Sequence, residues 1–158
     1  MLQGFKKILI PIDGSKLSEN GLRYGVSVAS KYDASIVILS VYSSKDPECP
    51  FKKRIKEMKL QFAKDIEKMP MMYLMENYHG ILKNALCKQK INVKSLLRES
   101  DTSTKSVLKI LLDEIEKEKI DLVVISSHGK SGFNKLKLGS VTEGLIKYLA
   151  IPVLCVKK

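Results

Sequence analysis

Short apolar runs alternate with longer segments of helical periodicity along most of the chain. The runs are rich in Ile, Val and Leu and predict strands at residues 6–12, 34–41, 92–98, 122–125 and 153–156. Nearly continuous apolar runs of this kind are typical of parallel strands that are buried on both faces. Strands that alternate with helices predict right-handed crossover units. The pattern therefore predicts an α/β fold, an open five-stranded parallel sheet with helices on both faces.

The predicted helices carry apolar residues three or four positions apart. They are expected from Ser15 or Ser18 to about residue 32, then at residues 53–68, 71–90, 103–119 and from Ser140 to the residues before Pro152. In the first of them, Gly21 and Gly25 are expected to let the helix approach the sheet closely, at some cost in helix propensity. Residues 43–90 form the least regular segment, and its methionines are interpreted either as core filling or as an adaptable binding surface.

Composition limits the classes of protein that need to be considered. A chain of 158 residues fits one domain, which we expect to span residues 1–158. The net charge of +11 suggests an affinity for polyanions, but only three of the 28 basic residues are Arg, the residue that supplies most bidentate base contacts. We therefore expect no specific recognition of nucleic acid.

The cysteines and the hydropathy of the chain bear on where the protein resides. Cys49, Cys87 and Cys155 are odd in number and widely spaced, which favours a reducing cytoplasm without a disulfide framework or a zinc site. No apolar run is long enough to span a bilayer. We expect a cytoplasmic protein with no membrane association.

The segment from Asp121 to Tyr148 carries the most specific chemistry. A buried strand leads into a loop with Gly129, and Gly139 and Ser140 precede a helical pattern. Ser140 is predicted to cap this helix with Glu143 as its capping-box partner. A helix start presents free N–H groups and the positive end of the helix dipole, which suits phosphate. The alternative is that the glycines only shape a long connection.

This segment resembles the phosphate loop of the universal stress protein family, whose pattern is Gly-x2-Gly-x9-Gly-Ser/Thr. Gly129, Gly139 and Ser140 match the pattern, whereas Ser126 stands at the first glycine. The opening run from Lys6 through Asp13 to Ser15 and the closing residues 151–156 are also similar to the family, so the resemblance covers nearly the whole chain.

The resemblance implies an adenine nucleotide, ATP or another, with Mg or Mn as its accompanying cation and no protein metal site. It implies that Pro11, Ile12 and Val41 line the adenine pocket and that Asp13 holds the ribose hydroxyls or helps the cation. Asp13 is also a favourable turn residue. The remaining cofactor-binding residues that it implies are Ser126, His128, Gly129, Gly139, Ser140 and Val141. We expect Lys130, Lys135 and Lys137 either to add positive charge or to be solvated.

Two positions depart from the family pattern and bear on nucleotide binding. A side chain at Ser126 is expected to crowd the ribose and phosphates. Asp101 follows the third predicted strand, where the family usually has Gly-x-Pro, and its carboxylate is expected to repel phosphate unless a cation intervenes. His128 is interpreted as a structural residue or a loop contact, because no nucleophile with an orienting carboxylate can be placed beside it.

Three hypotheses for function follow. The first is a nucleotide-binding stress protein that acts as a ligand-controlled switch, with no catalytic residues and at most slow ATP hydrolysis. The second is an interaction module without nucleotide that binds an unknown protein partner through its basic, Met-rich middle segment. The third is an ATP-using enzyme of the related nucleotide hydrolase group, whose Ser-Gly-Gly-x-Asp-Ser loop is missing here. The family resemblance also implies a homodimer formed through the apolar C-terminal strand, which is expected to lie at an edge of the sheet.

Overall fold

The strands form one parallel sheet. The computed structural model describes residues 4–43, 45, 76, 78–101, 103–128 and 138–157. Its strands are β1 (Lys7–Ile12), β2 (Ser35–Tyr42), β3 (Val93–Glu99), β4 (Leu122–Ser126) and β5 (Val153–Val156). They pair in the order β3-β2-β1-β4-β5, and every pair is parallel. The predicted fold class is confirmed, and each strand lies within one residue of its predicted bounds.

The helices connect these strands. They are α1 (Lys16–Tyr32), α2 (His79–Lys83) with a π-helical turn directly after it (Asn84–Lys88), α3 (Thr104–Lys117) and α4 (Ser140–Tyr148). Ser15 caps α1, since its side chain accepts a hydrogen bond of 3.1 Å from the Ser18 amide. The predicted helix at residues 53–68, residues 71–75 of the next helix and most of the Met-rich segment lie outside the described residues. No helix in the described part has the length and apolar content needed to cross a membrane.

Two separate apolar clusters cover the two faces of the sheet. Alternate residues of each strand point to opposite faces. Ile8, Ile10, Ile36, Ile38 and Val124 pack with Leu22, Val26 and Leu82, which belong to α1 and α2. Leu9, Val37, Leu39, Val123 and Ile125 pack with Leu111, Ile115 and Leu145, which belong to α3 and α4. The helices therefore lie on both faces, as the sequence predicted.

A close contact brings α1 onto the sheet. A Cβ placed on Gly25 would lie 2.3 Å from Ile10 Cδ1, so only glycine fits there without a shift of the core. Gly21 is less constrained, because its nearest neighbour, Ser126 N, would be 3.6 Å from an added Cβ. The prediction of close helix–sheet packing is confirmed at Gly25.

The strand order defines where a ligand can bind. From β1 the chain runs outward to β2 and β3 on one side, and then crosses to β4 and β5 on the other. In open parallel sheets, ligands bind beyond the carboxyl ends of the strands at this reversal. Here that crevice lies between the end of β1 at Ile12 and the end of β4 at Ser126.

Candidate functional site

The turn after β1 forms one wall of the crevice. Ile12 is buried, and the half-buried Asp13 follows it. Asp13 Oδ1 accepts a hydrogen bond of 2.9 Å from the Ser15 amide, and Gly14 takes the left-handed φ of 84° that the turn requires. Asp13 thus has the turn role that Asp commonly fills, at the mouth of the predicted adenine pocket.

The end of β2 lies beside that turn. Ile12 is in register with Ser40, so Val41 is the first residue of β2 beyond the paired end of β1. The Ser35 amide donates to Lys6 O across the same strand pair, and main-chain groups alternate in direction along a strand. The amide and carbonyl of Val41 therefore face the β1 side of the crevice. Val41 thus presents main-chain groups at the wall predicted for adenine.

A compact set of hydrogen bonds fixes the turn after β4. Ser126 Oγ donates to His128 O at 2.9 Å, and Thr142 Oγ1 donates to Ser126 O at 2.9 Å. Ser127 Oγ lies 2.9 Å from His128 Nδ1, while His128 Nε2 is buried without a hydrogen-bond partner among the described residues. Ser126 is 5% exposed, and its hydroxyl is used inside the turn. The side chain that was expected to crowd a ligand is therefore hydrogen-bonded to the main chain of the turn, at His128.

The start of α4 corrects one prediction. Gly139, and not Ser140, is the N-cap, with extended backbone angles and a carbonyl that accepts from the Glu143 amide at 2.9 Å. Ser140 is already the first helical residue, so its side chain cannot form the predicted capping box with Glu143. Its hydroxyl lies instead 3.3 Å from Thr104 Oγ1 on α3.

The backbone at Gly139 joins α4 to the end of β4. The Gly139 amide donates to Ser127 O at 2.7 Å, so this N–H is already occupied. The amides of Ser140, Val141 and Thr142 belong to the first helical turn, where no intrahelical acceptor is available to them. Together with the helix dipole they favour an anion at this point of the crevice.

The start of α3 lies next to the start of α4, which sequence reasoning missed. Thr104 begins α3, and its hydroxyl meets that of Ser140. Asp101 Oδ1 accepts from Ser103 Oγ at 2.6 Å and from the Ser103 amide at 3.0 Å, and these bonds lower the pKa of Asp101. The carboxylate thus supports the cap of α3. The signal in the sequence was the series of residue types that favour N-caps after the third predicted strand.

The structure brings most of the predicted site residues to one edge of the sheet. They are Pro11, Ile12, Asp13, Val41, Ser126, His128, Gly139, Ser140 and Val141. Gly129 and the three loop lysines Lys130, Lys135 and Lys137 lie outside the described residues. Within the described ranges, no three His, Cys, Asp or Glu side chains come together as a metal site.

Comparison with known sequences identifies the class of protein to which this architecture belongs. The profile of the Universal stress protein family matches residues 4–157. The chain therefore belongs to the universal stress protein family. It is similar to two universal stress proteins of Methanocaldococcus jannaschii, with 30% identity over 98% of this chain and 96% of one relative. For the other relative, the identity is 27% over 98% of this chain and 83% of the relative.

Solved structures support the same architecture. The universal stress protein UspA from Lactobacillus plantarum superposes with a TM-score of 0.67 at 17% identity, over 98% of this chain and 99% of that one. A universal stress protein from Archaeoglobus fulgidus in complex with dAMP has a TM-score of 0.55 at 17% identity, over 99% of this chain and 100% of that one. A universal stress protein in complex with cAMP has a TM-score of 0.57 at 17% identity, over 98% of each chain. At these identities the likeness concerns the fold.

Proposed function

We propose that this protein binds an adenine nucleotide at the carboxyl edge of its sheet and acts as a ligand-controlled switch in the cytoplasm. The observation that carries the proposal is the fixed start of α4. Because the Gly139 amide is bonded to Ser127 O at 2.7 Å, the first helical turn is held beside the end of β4. The amides of Ser140 and Val141 then remain for phosphate oxygens.

The other end of the ligand would lie against β1 and β2. Pro11 offers apolar surface above the buried Ile12, and the main chain of Val41 offers a donor and an acceptor to the edge of an adenine ring. Asp13 is placed for the ribose hydroxyls or for a divalent cation that accompanies the phosphates. The complexes of family members with dAMP and cAMP support an adenine nucleotide as the class of ligand.

The proposed switch needs no dedicated catalytic residue. Among the described residues, His128 provides the one imidazole at the crevice. Its Nδ1 lies 2.9 Å from Ser127 Oγ. Within the described part of the chain, no carboxylate orients this Ser–His pair as an activated nucleophile would require. We therefore expect at most slow ATP hydrolysis, and rapid metal-dependent turnover would contradict this part of the proposal.

Release of bound ligand from freshly purified protein tests the proposal. The protein is denatured and the supernatant is analysed by mass spectrometry for ATP, ADP and AMP, and Mg-ATP is then titrated into stripped protein by calorimetry. Release or saturable heat is the expected result. No nucleotide and no heat would contradict the proposal and would favour an interaction module that acts through residues 43–90.

A further inference from the structure

Two buried carboxylates, Glu114 on α3 and Glu118 at its C-cap, lie one helical turn apart and bind side chains of the sheet. Glu114 is 6% exposed and Glu118 is 8% exposed. Glu114 Oε1 accepts from Arg98 Nε at 2.6 Å, whereas Glu118 accepts from Lys94 Nζ at 2.5 Å and from Lys7 Nζ at 2.9 Å. Arg98 and Lys94 belong to β3, which is an edge strand of the described sheet. Both carboxylates therefore link this strand to α3 and its C-cap.

The two carboxylates differ in how completely they are paired. Both oxygens of Glu118 have a lysine partner. Glu114 Oε2 is buried and has no hydrogen-bond partner among the described residues. A buried, half-paired charge is a poor source of stability, since apolar residues of similar volume usually serve as well or better. Stability alone therefore gives a weak reason for a carboxylate at Glu114.

The position of the pair relative to the crevice suggests another reason. Arg98 is in register with Val41, and Lys94 is in register with Val37 near the opposite end of β2. Val41 packs against the cluster on the α3 face, the face on which Arg98 meets Glu114. Directly beyond this point the Ser100 amide donates to Tyr42 O at 2.7 Å. The Glu114–Arg98 pair thus lies beside the predicted adenine wall, and Glu118 lies near the far end of the same strands.

We infer that Glu114 and Arg98 are positioning residues, which brace the end of β2 so that the Val41 main chain is held in place for the ligand. The inference rests on the proposed nucleotide site. Neither side chain needs to touch the nucleotide, because the guanidinium acts through the β3 backbone, which is in register with Val41 and hydrogen-bonds to the adjacent Tyr42. Glu118 fixes the opposite ends of β1 and β3 and has no such role.

Matched substitutions at these two carboxylates separate positioning from stability. Glu114→Gln and Glu118→Gln each remove one buried charge with little change in volume. Mg-ATP affinity is measured by calorimetry on both variants, at a temperature where both are folded. We expect Glu114→Gln to weaken binding about five- to tenfold and Glu118→Gln to stay within about twofold of the wild type. Equal affinities, or an equal loss in both variants, would overturn the inference.

Amide hydrogen exchange tests the brace without any ligand. Glu114→Gln is expected to speed exchange of the Ser100 amide, bonded to Tyr42 O, more than that of the Ile36 amide, bonded to Asn92 O at the other end of the pair. Glu118→Gln is expected to show the reverse preference. The same pattern of exchange in both variants would contradict the brace. If the wild-type protein binds no nucleotide, the proposed function fails. The exchange measurement still tests whether Glu114 and Arg98 brace the end of β2.

A double substitution covers the case in which Glu114→Gln does not fold. Arg98→Met combined with Glu114→Leu replaces the pair by apolar side chains and is expected to fold, because such replacements are often neutral or stabilising. The inference predicts that this variant binds Mg-ATP about five- to tenfold more weakly than the wild type. Wild-type affinity in a stable double variant would contradict it.

Discussion

At the scale of single residues, Ser126 shows how an expected obstacle is accommodated. Its hydroxyl donates to His128 O at 2.9 Å and so closes the turn after β4. Replacing this serine by the glycine that the family usually has is therefore not expected to make more space for a ligand. We predict that Ser126→Gly lowers the free energy of unfolding by about 1 kcal/mol, through the lost bond and the added chain entropy. Calorimetric titration should show no gain in Mg-ATP affinity, and a clear gain would restore the crowding hypothesis.

Glu118 makes the stability of the fold depend on pH in the acidic range. Hydrogen bonds from Lys94 and Lys7 lower its pKa below the ordinary value of 4.5. The stability that this carboxylate contributes is present at neutral pH, and it is lost as the pH falls from about 4.5 through the lower pKa of the folded state. We predict that Glu118→Gln costs about 1 kcal/mol at pH 7, since both lysines are partly exposed.

The difference between wild type and Glu118→Gln should shrink towards pH 3. Urea unfolding at pH 7, 5 and 3 measures it. A difference that stayed constant across this range would show that the lysine pairs do not contribute as described.

At the scale of elements, α1 depends on a glycine where it crosses β1. A methyl group at Gly25 would overlap the end of the Ile10 side chain, which is fully buried and would have to shift within the packed core. We predict that Gly25→Ala destabilises the protein by about 1–3 kcal/mol through overpacking. Gly21→Ala is the control, because its added Cβ meets only ordinary contacts and gains up to about 1 kcal/mol of helix propensity. In thermal unfolding, the midpoint temperature should be lower than that of the wild type for Gly25→Ala and higher for Gly21→Ala.

The elements themselves were largely predictable from the sequence, and the site was predictable in part. Hydrophobic periodicity locates the strands because a sheet covered on both faces needs continuous apolar runs. The cap of α4 was mispredicted because Ser140 and Gly139 are both acceptable caps, and the Gly139–Ser127 bond that selects Gly139 is a tertiary contact. The proximity of Thr104 to Ser140 spans 36 positions and depends on how α3 and α4 pack, which no local pattern contains.

At the scale of the whole molecule, the edge of the sheet predicts association. β5 lies at one edge of the described sheet, and Leu154 on it is 38% exposed. An apolar edge strand of this kind needs covering. We propose that two copies pair through β5.

Sedimentation tests this pairing. We expect particles of twice the 17.8 kDa chain mass at micromolar concentration, and monomers for Leu154→Lys. A wild-type protein that sediments as a monomer would contradict the pairing.

The central claim is that the start of α4 binds the phosphates, and a pair of substitutions at Gly139 tests it most directly. The backbone there has φ −63° and ψ 147°, which any residue can adopt. Asp and Asn are both good N-caps, so Gly139→Asp and Gly139→Asn should leave α4 folded and differ only in charge. Calorimetric titration with Mg-ATP should show binding at least about tenfold weaker for Asp than for Asn. Equal binding by the two variants would contradict the account.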